Sequence, residues 1–266
     1  MSQGGGRSLV LIHGAWVTAQ SWDTFRQPFE AAGYTVHTPT WPMLEGRSAR
    51  ELNESPPSGF GALTTGSIVD RLQAFITTLP DAPLIVGHSF GGLFTQMLLD
   101  RGVGRAGVAI NPVPIGGIVP GPTSLTAVLP AVARWNGWNR PYAMSRHVWS
   151  KRFANTAPPV LQNSSYDTYV IPTSGRILHQ AATWLGTVVR PARRTVPLLI
   201  TGSQGDRLIT PYISKATFNL QRHSLAPTDF TQFADRSHLL IAEPGWEEVA
   251  ARALDWAARR DVSCDA

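Results

Sequence analysis

Six short apolar runs punctuate the chain: Ser8 to Ile12, Thr35 to Thr38, Pro83 to Val86, Gly107 to Ile110, Val196 to Thr201 and Asp229 to Phe233, each ending at a turn. Most are continuous, as in strands of a parallel sheet covered on both faces; a strand with one wet face would alternate. Between them, apolar residues recur at helical spacing over Trp22 to Ala32, Ser67 to Leu79, Gly92 to Arg101, Pro211 to Leu220 and Trp246 to Arg259. Strand and helix alternate, so the pattern predicts the α/β class, with a mostly parallel sheet flanked by helices.

The alternation stops after Asn111-Pro112, and about eighty residues rich in Trp, Tyr and Pro precede the run at Val196. Helix-like pieces fall around Leu125 to Trp135, Ser145 to Phe153 and Arg176 to Trp184. An insertion at the carboxyl end of a parallel strand sits over the edge of the sheet where ligands bind. The expected division is therefore a core of residues 1–113 and 194–266 with a helical cap at 114–193. A length of 266 residues suits one such unit.

Composition narrows the class. With 43% hydrophobic and 15% charged residues and no long single-sign run, the chain is globular; disorder is expected only at Ser2 to Gly6 and after Arg260. A net charge of +5 raises the question of an acidic partner, but the basic residues are scattered, and clusters such as Arg190 to Arg194 are short and lack interleaved aromatics. That argues against nucleic acid. Cys264 is the single cysteine, which excludes an intrachain disulfide or a cysteine-based metal site and suits a reducing cytoplasm. Leu9 to Ile12 is too short for a signal peptide or a membrane span. The histidines lack metal-ligand spacing, and Gly4-Gly5-Gly6 precedes a strand, where a phosphate loop would link strand to helix. No metal and no cofactor is expected.

The chemistry begins at Gly87-His88-Ser89-Phe90-Gly91, between an apolar strand pattern and a helical one. Gly-x-Ser-x-Gly in that context is a nucleophile elbow, a tight turn that holds its serine in a strained conformation and presents the hydroxyl to a cleft. A serine hydroxyl is a poor nucleophile until an imidazole accepts its proton, and the imidazole needs a carboxylate to fix its tautomer. Of seven histidines, His238 lies in the loop after the last strand, which opens on the same edge as the elbow. His13 reads as a loop-organising hydrogen bonder, and His88 should diverge from Ser89. His37, His147, His179 and His223 lack special context. Asp206 follows the strand ending at Thr201, and Ser, Asp, His is the order this architecture uses. Asn111, at the alternative acid position, cannot carry the charge, and Asp235 reads as a loop or capping residue. The developing oxyanion requires two donors, expected from the backbone N–H groups of Phe90 and of Ala15 in the loop His13-Gly14-Ala15-Trp16.

His-Gly-Ala-Trp at 13–16, Gly-His-Ser-Phe-Gly-Gly at 87–92, Gly-Asp at 205–206 and Ser-His at 237–238 together resemble the landmarks of the α/β-hydrolase superfamily. The early first strand is similar to that of the compact branch containing plant methylesterases and hydroxynitrile lyases. Ser89 stands where haloalkane dehalogenases and epoxide hydrolases carry aspartate and dienelactone hydrolases carry cysteine, which disfavours alkyl-enzyme chemistry. Leu239 stands where hydroxynitrile lyases carry a lysine, which argues against cyanohydrin cleavage. The resemblance implies a serine carboxylesterase or lactonase acting on a medium-sized apolar small molecule through an acyl-enzyme. Carbon–carbon bond hydrolysis, non-hydrolytic cyclisation and ligand reception are its alternatives. Trp16 and the cap residues Trp135, Trp138, Trp149 and Trp184 are candidates for an apolar substrate wall, against the alternative that they pack the cap onto the core. A homodimer is compatible with the sequence.

Overall fold

The protein is described by a computed structural model covering residues 7–261; the expectations for Ser2 to Gly6 and for Cys264 lie outside the described residues. The sheet comprises β1 (Ser8–Ile12), β2 (Thr35–His37), β3 (Leu84–His88), β4 (Ala106–Ile110), β7 (Leu198–Ser203) and β8 (Thr228–Phe233), in the order β2-β1-β3-β4-β7-β8. All neighbours are parallel. The short β5 (Pro141–Tyr142) and β6 (Thr173–Ser174) form a separate antiparallel pair within the insertion.

Side-chain alternation along the strands divides the core in two. Val10, Ile12 and Ile85 point to the face covered by α3 (Thr65–Ile76), α4 (Phe90–Asp100) and the insertion. Leu9, Leu11, Leu84 and Val86 meet Trp22, Phe25 and Phe29 on the other face, with Ala250, Ala253 and Trp256 of α10 (Trp246–Asp261). This two-sided burial is why the strand sequences are continuously apolar. Each such side chain removed from water contributes about 1.5–3 kcal/mol.

Helix boundaries follow local chemistry. The third helix starts two residues before the predicted Ser67, because Thr64 and Ser67 form a reciprocal capping box, each side chain accepting the other's backbone N–H at 3.0 Å. The first predicted helix shrinks to α1 (Gln27–Ala31), preceded by a 3₁₀ turn at Ala19–Trp22. Pro28, which lacks an N–H, fits the first turn of a helix and not its interior. Ahead of α3, an unpredicted helix α2 (Ala49–Glu54) is capped by Ser48 and Glu51. Helix α9 (Pro211–Gln221) follows β7.

Between β4 and β7 lie α5 (Pro122–Val132), α6 (Arg146–Val148) continuing as a π-helical turn Trp149–Phe153, α7 (Pro159–Tyr169) and α8 (Gly175–Thr183). The sequence reading missed α7. Its Asn163, Ser164, Ser165, Asp167 and Thr168 are poor helix formers, and tertiary bonds hold it instead: Trp149 Nε1 donates to Ser165 Oγ at 3.2 Å and the Tyr166 hydroxyl to Met144 O at 2.8 Å. The insertion is anchored to the segment around α3. Ser174 Oγ donates to Gly61 O and Leu63 O at 2.9 and 2.7 Å, Gln180 Oε1 accepts from Thr65 N at 2.8 Å, and Asn53 Nδ2 donates to Val170 O at 2.7 Å.

Candidate active site

Strand register aligns the loops that matter. Ile12 pairs with Gly87, His88 with Ile110 and Ile110 with Thr201, so the loops after β1, β3, β4 and β7 open along one edge. Ser89 sits at the turn from β3 into α4 with φ 59° and ψ −119°, a conformation that costs an L-residue about 1–3 kcal/mol. The surroundings impose it. Ser89 N donates to Ile110 O at 3.0 Å, and Ser89 O accepts from Gly92 N, Leu93 N and Val113 N. A Cβ on Gly87 would collide with the Gly91 carbonyl, and one on Gly91 with the Ile12 carbonyl. Only glycine permits the close approach that forces the turn.

Asp206 and His238 come together from loops after β7 and β8. His238 Nδ1 lies 2.6 Å from Asp206 Oδ2, with both side chains wholly buried. Asp206 Oδ1 accepts from the backbone N–H groups of Leu208 and Ile209, each at 2.8 Å, and Oδ2 also accepts from Asn111 Nδ2 at 2.8 Å. An ionised carboxylate only accepts, so the His238 proton resides on Nδ1 and Nε2 is the basic nitrogen. Nε2 is buried and makes no hydrogen bond, to Ser89 Oγ or to any other group. The imidazole is braced by His88, 4.6 Å away between ring centroids, and by Phe153, edge-on at 4.7 Å. Burial pushes the His88 pKa well below its ordinary value, aided by the neighbouring His238. His13 is buried too, stacks on Trp41 at 5.0 Å and bonds Gly14 O through Nδ1 at 2.9 Å. Desolvation lowers its pKa to about 4, so it organises its loop as a neutral ring.

That loop reaches Ser89: a Cβ on Gly14 would stand 2.8 Å from Ser89 Cβ and 3.3 Å from Oγ. Ala15 is buried there, followed by Trp16 at φ 65°. Phe90 begins α4, where a backbone N–H has no intrahelical acceptor. Ser89, Phe90 and Trp16 line one cavity with Val128, Leu178 and Ile209 among its apolar walls. Of the five candidate tryptophans, only Trp16 reaches it. Trp149 is buried in the insertion, stacked on Phe153 at 4.1 Å. Trp184 ends α8 in a left-handed conformation and donates to Ile118 O at 3.0 Å. Trp138 meets the edge of His179, and Trp135 is 86% exposed. Contrary to the expected substrate wall, these four do not line this cavity and instead pack within the insertion or face solvent.

Two residues escaped the sequence reading. Asn111, which cannot carry the charge of the acid, serves instead as a hydrogen-bond donor to Asp206. Glu243, five residues after His238, is buried and accepts from Ser237 N, Ser237 Oγ and Thr156 Oγ1 at 2.7, 2.6 and 2.7 Å, joining the His238 loop to the insertion. No described helix is long and apolar enough to cross a membrane.

Residues 9–252 match the model of the alpha/beta hydrolase family, and the chain belongs to that family. No curated protein sequence matches it significantly. Among solved structures it is similar to a methylesterase from Arabidopsis (15% identity, TM-score 0.67, covering 95% of this chain and 99% of the other). A monoacylglycerol lipase from Paleococcus ferrophilus (17%, 0.67, covering 94% and 93%) and tomato methylketone synthase I (15%, 0.68, covering 96% and 99%) are comparably similar. At these identities the likeness is one of fold.

Proposed function

We propose that this α/β hydrolase is a serine carboxylesterase or lactonase that works through an acyl-enzyme and needs no cofactor. The observation that carries the reading is the buried Asp206–His238 pair at 2.6 Å, together with a serine held at φ 59° that lines an apolar cavity. Ser89 Oγ attacks the carbonyl carbon while His238 Nε2 takes its proton. The carbonyl oxygen becomes an oxyanion facing the N–H groups of Ala15 and Phe90, and the imidazolium is balanced by Asp206. His238 then protonates the leaving alcohol, and the freed imidazole activates water to hydrolyse the acyl-enzyme.

Cavity size bears on the substrate. The cavity at Ser89 has a volume of about 50 Å³ and walls that are almost wholly apolar. Such a space suits a short acyl chain, with the remainder of a medium-sized ester extending through the mouth.

The test is labelling by a fluorophosphonate, expected at Ser89, abolished in Ser89→Ala and accompanied by loss of ester turnover. Undiminished esterase activity in Ser89→Ala would refute the reading.

A further inference from the structure

We propose that Ser124 is the specificity-determining residue of the cavity and that the acyl group it receives bears a hydroxyl or keto oxygen on its chain. The inference rests on the esterase reading above and names its substrate class.

Ser124 lies near the start of α5, lines the same cavity as Ser89 and is 7% exposed. Its Oγ has no hydrogen-bond partner. Hydroxyls within helices commonly satisfy themselves on the carbonyl three or four residues back. Thr126, on the same helix, does so with Thr123 O at 2.9 Å; Thr95 bonds Gly91 O and Thr217 bonds Ile213 O in the same way. Ser124 is left with both its donor and its acceptor capacity unused.

The rest of the cavity wall offers no competitor. Ser89 is assigned to the attack, and the Trp16 indole N–H already donates to Tyr142 O at 3.2 Å. Every other lining side chain is hydrocarbon. A purely alkyl acyl group would cover the Ser124 hydroxyl and leave it unsatisfied, which is unfavourable; an oxygen on the chain would accept from it or donate to it. Apolar pockets with one or two polar groups obtain orientation and selectivity in this manner, and they reject the analogue that lacks the matching group.

The experiment compares kcat/KM for methyl butyrate with methyl 2-hydroxybutyrate, methyl 3-hydroxybutyrate and methyl 3-oxobutyrate, in the wild type and in Ser124→Ala. At least one oxygenated ester is expected to be preferred by about tenfold, the worth of one well-made neutral hydrogen bond, and the ratio should collapse toward one in Ser124→Ala. Equal ratios in the two proteins, or no preference in the wild type, would overturn the assignment. Calorimetric binding of 2-pentanone and 4-hydroxy-2-pentanone to the same two proteins reads the contact without turnover. Loss of the hydroxyketone preference in Ser124→Ala supports the assignment even if no ester is cleaved, and an unchanged preference refutes it. Fluorophosphonate labelling of Ser89 reports separately on the esterase reading.

Discussion

Asn111 Nδ2 donates to Asp206 Oδ2 at 2.8 Å, on the same carboxylate oxygen that lies 2.6 Å from His238 Nδ1. The amide is held in place: Asn111 has φ 42°, and its Oδ1 accepts from Thr201 Oγ1 at 3.2 Å. The end of β4 thus braces the carboxylate that orients the proposed base.

Replacing that donor should reduce activity without unfolding the protein. Asn111→Ala removes a hydrogen bond to a charged group, worth about 1.5–3 kcal/mol, and should lower kcat/KM for a short ester roughly tenfold to a hundredfold. Asn111→Asp should be worse, because two adjacent carboxyls cannot both ionise readily and a shared proton weakens the partner of His238. Steady-state kinetics and the rate of fluorophosphonate labelling measure both variants; wild-type rates in Asn111→Asp would show that the contact is dispensable.

Glu243 is predicted to stabilise the joint between the insertion and the His238 loop. Its carboxylate receives two donors from buried Ser237 and one from the exposed Thr156, while nearby Asn155 Nδ2 donates to Gly205 O at 2.8 Å and Leu239 N to Phe153 O at 2.9 Å. Glu243→Ala leaves the two buried Ser237 donors unsatisfied at about 1–3 kcal/mol each if no water replaces the carboxylate. A net loss of about 3 kcal/mol would lower Tm by roughly 6–12 °C in a chain of this size. Thr156→Val removes only the contact from the insertion and should cost less. Thermal denaturation of both variants decides it, and an unchanged Tm in Glu243→Ala would remove Glu243 from this role.

These two residues mark where sequence reasoning stopped. Continuous apolar strands, the glycines around Ser89 and the meeting of Asp206 with His238 were legible because each reflects local chemistry: two-sided burial, a close backbone approach, loops following strands. Asn111 and Glu243 act across loops distant in sequence, where only the assembled sheet edge shows which donor meets which carboxylate. The tryptophans failed for a related reason. Aromatic content within an insertion does not reveal which face of each helix turns toward the cavity, and only Trp16, fixed by its motif, came out lining it.

Stability should fall on acidification through a defined window. His13, with its pKa lowered to about 4 by burial, binds fewer protons folded than unfolded between about pH 4 and the ordinary 6.5. Its contribution is therefore fully present above pH 6.5 and lost as pH falls toward 4, amounting to about 3 kcal/mol. His88, shifted in the same direction, steepens the loss. Urea denaturation at several pH values should show this slope, and His13→Gln should flatten it. An equal slope in His13→Gln would mean that other groups dominate acid unfolding.

Trp149 and Trp135 should respond oppositely to truncation although the sequence places both in the insertion. Trp149 is fully buried, stacks on Phe153 at 4.1 Å and donates to Ser165 Oγ; Phe153 in turn meets the edge of His238 at 4.7 Å. Trp149→Ala should cost about 3–5 kcal/mol through lost burial and the cavity left behind, and should lower kcat by freeing Phe153 and the imidazole it braces. Trp149→Phe restores the stacking ring and should recover much of the stability. Trp135 is 86% exposed, and surface substitutions of that kind usually stay within about 0.5 kcal/mol, so Trp135→Ala should leave Tm and kcat/KM close to the wild type. Parallel denaturation and ester kinetics separate the two. A large activity loss in Trp135→Ala with unchanged Tm would return that ring to the substrate path and contradict its placement outside the cavity.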